Sequence, residues 1–265
     1  MTVAALGQEY RAHLDLLVTR TDFPNQCDRL GTANQRLYSD VLGSIEARRS
    51  ELRQLGTIRT AHDSAAVKLR SCFSPIKERA FSKPANLEAW LSYTHDPEAV
   101  EEAFMQSWKR LELFFLKTDT QYVMRWNSIK SNKTALNKIQ AALQNGHELD
   151  LWDMVRFRTS LSSPRLLSLM GQEIVKFFGD DVCRVRNYYA FPRGSDTDSY
   201  RALHFEILAG KTFFELQANT VARDLIGLLD HDFTATKRVP FLDDAHRQWL
   251  EDLRMAANVY DASLL

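Results

Sequence analysis

The chain has 265 residues, 45% hydrophobic and 26% charged, which is ordinary for a globular protein with one sizeable core or two small ones. Its 34 basic and 34 acidic residues cancel, which excludes a strong overall attraction for polyanions, so any anion binding must come from local clusters. Three widely spaced cysteines exclude a disulfide framework and a zinc site of paired cysteines. Neither a signal peptide nor an apolar run of about 20 residues is present, so we expect a cytoplasmic protein that does not enter a membrane.

The first part of the chain has the apolar spacing of helices. Between residues 5 and 72, apolar side chains recur at helix-like intervals among charged ones, with Gly31, Gly43 and Gly56 as interruptions. Residues 73–86 hold two prolines and no periodicity, which predicts a loop. Another helix is predicted to begin near Pro97, because acidic residues in the first turns suit the positive end of a helix. We therefore predict a helical N-terminal section over residues 1–115.

The pattern changes to alternating strands and helices after about residue 118. Strands are predicted in QYVMRW, DMVRFRTSL, CRVRNYYAF, ALHFEILAG and TFFELQA. Helices are predicted over 132–144, from Pro164 through KFFG, over 220–233 and in DAHRQWLEDLRMAANVYDAS. This order predicts an α/β fold with a mixed β-sheet flanked by helices, with its core over residues 116–240 and a C-terminal helix over 241–265.

Two segments carry candidate phosphate and metal ligands. Lys130, Thr134 and Lys138 are spaced by four residues, so a helix would place them along one side near its anion-attracting N-terminus. The same spacing also fits an ordinary solvated helix face. Asp153 opens a strand that carries Arg158, and its carboxylate is either a ligand for Mg²⁺ or a cap at a loop end.

The segment from Arg184 to Thr220 combines arginines, aromatic residues and isolated acidic groups. In TFFELQANT, alternation places Glu215, Gln217 and Asn219 on one face of a strand, which either meets solvent or lines a site. Tyr200, near His204, offers an aromatic ring that could stack on a base, or it belongs to a surface loop. We regard Glu215 as the first residue to test.

The order of these features resembles the synthetase domain of the RelA/SpoT family. The matching pattern is Lys-x3-Thr-x3-Lys, Asp-x4-Arg, Arg-x-Arg-x-Tyr with a later Pro-Arg, Tyr-Arg-x-Leu-His and Glu-Leu-Gln-x-x-Thr, over residues 118–238. The resemblance implies a nucleotidyltransferase-like synthetase fold. It also implies transfer of pyrophosphate from ATP to the 3′-hydroxyl of a guanosine nucleotide, with Mg²⁺ as the cofactor.

The resemblance also implies a role for each matching residue. The residues implied to bind ATP are Lys130, Thr134, Lys138, Arg125 and Arg158. The residues implied to bind the phosphates or base of the acceptor are Arg184, Arg186, Arg193, Tyr200, His204 and Gln217. The residues implied to hold Mg²⁺ are Asp153 and Glu215, of which Glu215 also activates the attacking hydroxyl.

The chain departs from the family pattern at three places. Ser128 stands where the family has an arginine, for which Arg125 is a candidate substitute, and Asn219 stands where another arginine is usual. The loop before Tyr200, residues 194–199, is longer than usual. Because small toxic members of the family modify adenosine nucleotides or the 3′ end of tRNA, those acceptors and a neutralising antitoxin partner stay open. A non-catalytic nucleotide- or RNA-binding module is a further alternative.

Overall fold

A computed structural model describes residues 28–80, 97–118, 123–129, 144–145, 155–192, 201–209, 212–230 and 244–265. Elements are numbered within these residues. The helices are α1 (Asp28–Gln54), α2 (Ile58–Phe73), α3 (Pro97–Thr118), α4 (Pro164–Phe178), α5 (Val221–Asp230) and α6 (Asp244–Ser263). The strands are β1 (Val123–Ile129), β2 (Val155–Leu161), β3 (Val182–Asn187), β4 (Leu203–Ala209) and β5 (Thr212–Thr220). The predicted α/β class, with a mixed sheet, flanking helices and a helical N-terminal section, is confirmed.

Local sequence explains where several helices begin and end. Helices α1 and α2 are separated at Gly56, whose φ of 65° is a left-handed conformation that side chains with a Cβ rarely adopt. Helix α3 begins at Pro97 as predicted. Helix α4 has Pro164 in its first turn, and the hydroxyl of Ser163 accepts a hydrogen bond from the backbone N–H of Leu166. These are the start and stop signals that the sequence carries.

The five strands form one mixed sheet in the order β1-β2-β5-β4-β3. Strand β5 is central, parallel to β2 and antiparallel to β4, and the β1–β2 and β3–β4 pairs are antiparallel. Strand β3 ends at Asn187, earlier than the predicted CRVRNYYAF strand. The side chain of Asn187 caps a turn there, since its carbonyl accepts from Ala190 N while its amide donates to backbone carbonyls of Phe73 and Ile76.

One face of the sheet is apolar and packs against α3 and α4. Its central rings are Phe157 on β2 and Phe214 on β5, whose centroids lie 5.5 Å apart in an edge-to-face arrangement. Phe104 of α3 and Phe178 of α4 contact these rings from the helical layer. Leu69 and Phe73 of α2 belong to the same buried cluster, so α2 and α3 complete the core of the sheet.

A second apolar cluster joins α1, α5 and α6. It includes Ile45 of α1, Leu225 of α5 and Leu253 of α6, all of them inaccessible to solvent. Helix α6 also packs along α2. Across the described part of the chain, no helix has both the length and the apolar character needed to cross a membrane.

Candidate functional site

The second face of the sheet carries charged and polar side chains in two rows. Residues paired across neighbouring strands project to the same face, so the strand register identifies the members of each row. The first row consists of Arg156, Glu215, Glu206 and Arg184, and the second consists of Arg158, Gln217, His204 and Arg186. We call these eight side chains the polar face. The prediction that Glu215 and Gln217 share a face is confirmed by this register.

Glu215 is held at the centre of the polar face by direct polar contacts. It is only 5% exposed. One carboxylate oxygen, Oε1, lies 2.8 Å from Nδ1 of His204, and the other, Oε2, accepts a hydrogen bond of 2.9 Å from the amide of Gln217. Burial by itself raises the pKa of Glu215, but His204, Gln217 and the charge of Arg156 outweigh burial and lower the pKa to about 2. Glu215 is therefore ionised at neutral pH.

Glu206 is a second buried carboxylate, directly opposite Glu215 in the β4–β5 ladder. Its Oε1 lies 3.5 Å from Nη1 of Arg184 and 3.3 Å from Nη2 of Arg186, so it bridges the two guanidinium groups. The sequence predicted both arginines but neither Glu206 nor Arg156 as site residues. The alternation of side chains along a strand could have identified both residues. Glu206 follows His204 by two positions and Arg156 precedes Arg158 by two, so each shares a face with a predicted site residue.

Arg158 lies on the polar face and also approaches a helix. Its Nη1 is 3.5 Å from Oδ1 of Asp224 on α5. Asp224 is fully buried and accepts a 2.8 Å hydrogen bond from the hydroxyl of Tyr38 on α1. Arg158 therefore connects the edge of the polar face to the helical cluster, in addition to any contact with a ligand.

The segment that leads into β4 is fixed by a buried polar junction, which comprises Tyr189, Arg201, Thr220, Arg223 and Asp261. Nη1 of Arg201 donates a hydrogen bond of 3.1 Å to the backbone carbonyl of Tyr189. Thr220 donates from its backbone N–H to the Tyr189 hydroxyl and from its own hydroxyl, at 2.7 Å, to Asp261 on α6. Arg201 directly follows Tyr200, so this junction anchors the chain next to a predicted acceptor-binding residue.

Asn219, which departs from the family pattern, belongs to the same region. It is 2% exposed. With its amide nitrogen oriented toward the neighbouring carbonyls, it donates to Arg201 O at 3.0 Å and to Ala218 O at 3.2 Å. Asn219 thus ties the end of β5 to the start of β4.

Several predicted site residues lie outside the described residues. They are Lys130, Thr134, Lys138, Asp153, Arg193 and Tyr200. Arg125 is described only through its backbone, at an irregularity in the β1–β2 register between Met124 and Trp126. The structure brings together Arg158, Arg184, Arg186, His204, Glu215 and Gln217 on one face of the sheet.

The polar face combines carboxylate oxygens with guanidinium groups. Arginine binds phosphate through charge-assisted hydrogen bonds, often two at a time. A buried carboxylate of low pKa can orient a hydroxyl or supply one oxygen to a hard cation. This arrangement suits a ligand that carries both phosphate groups and a hydroxyl.

No family model and no curated protein matches the chain. Among solved structures, it is similar to small alarmone synthetase 1 from Bacillus subtilis bound to its product pppGpp, with 17% identity, a TM-score of 0.45, and coverage of 63% of this chain and 89% of that one. It is similar to small alarmone synthetase 2 from Bacillus subtilis, with 15% identity, a TM-score of 0.48, and coverage of 64% and 92%. It is also similar to a GTP pyrophosphokinase family protein from Streptococcus pneumoniae, with 18% identity, a TM-score of 0.46, and coverage of 68% and 92%. At these identities and TM-scores, the similarities assign no role to any residue of this chain.

Proposed function

We propose that the chain is an ATP-dependent pyrophosphokinase, which transfers the β,γ-pyrophosphate of ATP to the 3′-hydroxyl of a nucleotide. Guanosine di- and triphosphate are the acceptors to test first. The observation that carries the proposal is Glu215, an ionised carboxylate buried between His204 and Gln217 in a sheet face with four arginines. Its support from the sequence is the ordered set of motifs over residues 118–238.

The reaction depends on positioning the two substrates and neutralising the charge of their phosphates, and it needs no covalent catalysis by the protein. The acceptor oxygen forms a bond to the β-phosphorus of ATP, the bond from that phosphorus to the oxygen bridging to the α-phosphate breaks, and AMP leaves. Arginines of the polar face would neutralise the phosphates. Because its pKa is about 2, Glu215 would act mainly by orienting the hydroxyl as a hydrogen-bond acceptor, and the proton would pass to solvent as the new bond forms.

Glu215 also fits the second role implied for it, as a ligand of Mg²⁺. Mg²⁺ is usually bound through one or two carboxylates together with substrate phosphates and waters. Among the described residues no group of three or more His, Cys, Asp or Glu is placed to hold a metal ion, and Asp153 lies outside them. Glu215 therefore would supply one oxygen ligand and Asp153 a second. When bound, Mg²⁺ would offset charge on the β- and γ-phosphates.

The remaining roles are proposed from the sequence motifs. Residues 116–240 would form the catalytic core. Lys130, Thr134, Lys138 and Arg125 would contact the ATP phosphates, while Arg193 and Tyr200 would contact the phosphates and base of the acceptor. Adenosine nucleotides or the 3′ end of tRNA are alternative acceptors, and a toxic product would require a neutralising antitoxin protein.

The test follows two labels in the same reaction. Purified protein is incubated with Mg²⁺, with ATP labelled at the γ- or the α-phosphate, and with GDP, GTP, AMP, ADP or tRNA. We expect the γ-label to appear in one class of acceptor and the α-label to appear in AMP. A one-phosphate transfer would instead release ADP.

Glu215→Gln is the decisive variant, because it removes the charge and keeps the size of the side chain. We expect a loss of about 10³-fold in kcat, the range for removing a group that acts on the reacting atoms. The matched control is Glu112→Gln, an exposed glutamate on α3. If no acceptor gains label but nucleotide binding is measurable by calorimetry, the chain is a binding module and the enzyme proposal fails.

A further inference from the structure

Glu206 has no role in the proposed reaction, although it stands at the centre of the polar face. It is 2% exposed and lies across from Glu215 in the β4–β5 ladder. A buried carboxylate is costly unless it is paired or hydrogen-bonded. Its presence on a face expected to bind phosphate therefore needs an explanation.

Glu206 contacts the two arginines assigned to the acceptor. Its side chain is 3% exposed, whereas those of Arg184 and Arg186 are 27% and 17% exposed. The carboxylate is thus more deeply buried than either arginine side chain, and both arginine side chains are partly accessible to solvent. One oxygen of Glu206 approaches both groups, which is the way a phosphate oxygen would bridge them.

The charge of the polar face is accordingly lower than its arginines alone indicate. Among its eight side chains, Glu206 and Glu215 offset two of the four positive charges of the arginines. A negative charge within a few ångströms of a bound phosphate opposes every further negative charge on the ligand. Glu206 is close enough to Arg184 and Arg186 to have this effect on any phosphate that they bind.

We propose that Glu206 is a specificity-determining residue, which limits how strongly the Arg184–Arg186 pair favours acceptors with additional phosphate groups. The inference rests on the proposed function for the identity of the ligand. It predicts that the chain accepts nucleotides with a single phosphate on the acceptor side about as well as polyphosphorylated ones. The acceptor class is therefore a nucleoside whose phosphate group, bound by Arg184 and Arg186, carries few negative charges.

The first measurement uses the unmodified protein. Transfer to GMP, GDP and GTP, and to AMP and ADP, is compared by kcat/KM. We expect less than about a threefold rise for each added phosphate, because Glu206 offsets part of the attraction. A rise of tenfold or more for each phosphate would overturn the proposal without any variant.

The second measurement replaces the charge alone. In Glu206→Gln we expect kcat/KM to rise about tenfold more for the triphosphate than for the monophosphate of the same base. The matched control is Glu206→Asp, which keeps the charge and should keep the flat dependence. Circular dichroism and thermal unfolding establish that both variants fold.

A binding experiment separates failure of the inference from failure of the proposed function. Calorimetry with inorganic tripolyphosphate and with inorganic phosphate needs no turnover. We expect Glu206→Gln to bind tripolyphosphate about tenfold more tightly than the unmodified protein, with a smaller change for phosphate. Equal affinities in both proteins would refute the role of Glu206, even if transfer is observed. If the affinity changes as expected but no transfer is observed, the role of Glu206 stands and only the proposed reaction is wrong.

Discussion

Two carboxylates, Glu215 on the polar face and Asp261 in the polar junction, are both buried but differ in charge. Burial raises the pKa of each. Glu215 has an imidazole at 2.8 Å, an amide at 2.9 Å and the charge of Arg156, and its pKa is about 2. Asp261 has one hydroxyl at 2.7 Å and the fields of Arg223 and Arg201, and its pKa is about 7. Direct contacts, rather than depth, therefore decide which carboxylate stays ionised.

The largest test of this comparison removes the imidazole next to Glu215. In His204→Gln, the contribution that offsets burial is lost, so the pKa of Glu215 rises. We expect kcat to fall about 10²-fold at neutral pH and to fall further toward pH 4 in the variant only, because the pKa of Glu215 in the unmodified protein is about 2. The measurement is transfer of labelled pyrophosphate between pH 4 and pH 8. A fall in kcat that is equal at every pH in this range would mean that His204 acts on the acceptor and not through Glu215.

The next test concerns Asp261. The folded pKa of about 7 is above the unfolded value of 3.8, so the folded state retains a proton that the unfolded state has lost. The free energy of unfolding should therefore decrease by about 2 kcal/mol as the pH rises from 5 to 8. Burial lowers the pKa of nearby His62, which contributes a slope of the opposite sign below pH 6.5.

The comparison of Asp261→Asn with the unmodified protein isolates the aspartate, because the contribution of His62 is common to both. Urea unfolding at several pH values should show that the difference in stability changes with pH and favours the variant at pH 8. Asparagine still accepts the hydrogen bond from Thr220. Parallel curves for the two proteins would mean that Asp261 is ionised over this range.

The smallest effect is expected where the polar face meets the cluster of helices α1, α5 and α6. Tyr38→Phe removes the hydroxyl that donates to Asp224 and keeps the ring in its cluster. We expect a loss of about 1–2 kcal/mol in the free energy of unfolding, because Asp224 is buried and loses one partner. The control is Tyr260→Phe, a partly buried ring in the same helical cluster. Equal losses in both variants would show that the bond to Asp224 has no special value.

The sequence predicted the described helices and strands, apart from the early end of β3, because their signals are local. Prolines mark the first turns of α3 and α4, and Gly56 marks the break between α1 and α2. Alternation in β5 was enough to place Glu215 and Gln217 on one face. These features depend on residues a few positions apart.

Long-range features could not be predicted in the same way. No local pattern places β5 between β2 and β4, and this order is what aligns Arg156 with Glu215. Glu206 was missed because its importance comes from Arg184 and Arg186 on a neighbouring strand. The bond from Thr220 to Asp261 joins residues 41 positions apart and has no motif.

The packing of α1 against α5 and α6 also has a consequence for folding during synthesis. The bond from Trp249 to Glu46 joins residues 203 positions apart, and that from Tyr38 to Asp224 joins residues 186 apart. The apolar stripe of α1 therefore lacks its partners on α5 and α6 while most of the chain emerges from the ribosome, and contacts of such separation form slowly. During that interval the nascent chain exposes the surface of α1 that α5 and α6 cover in the finished protein.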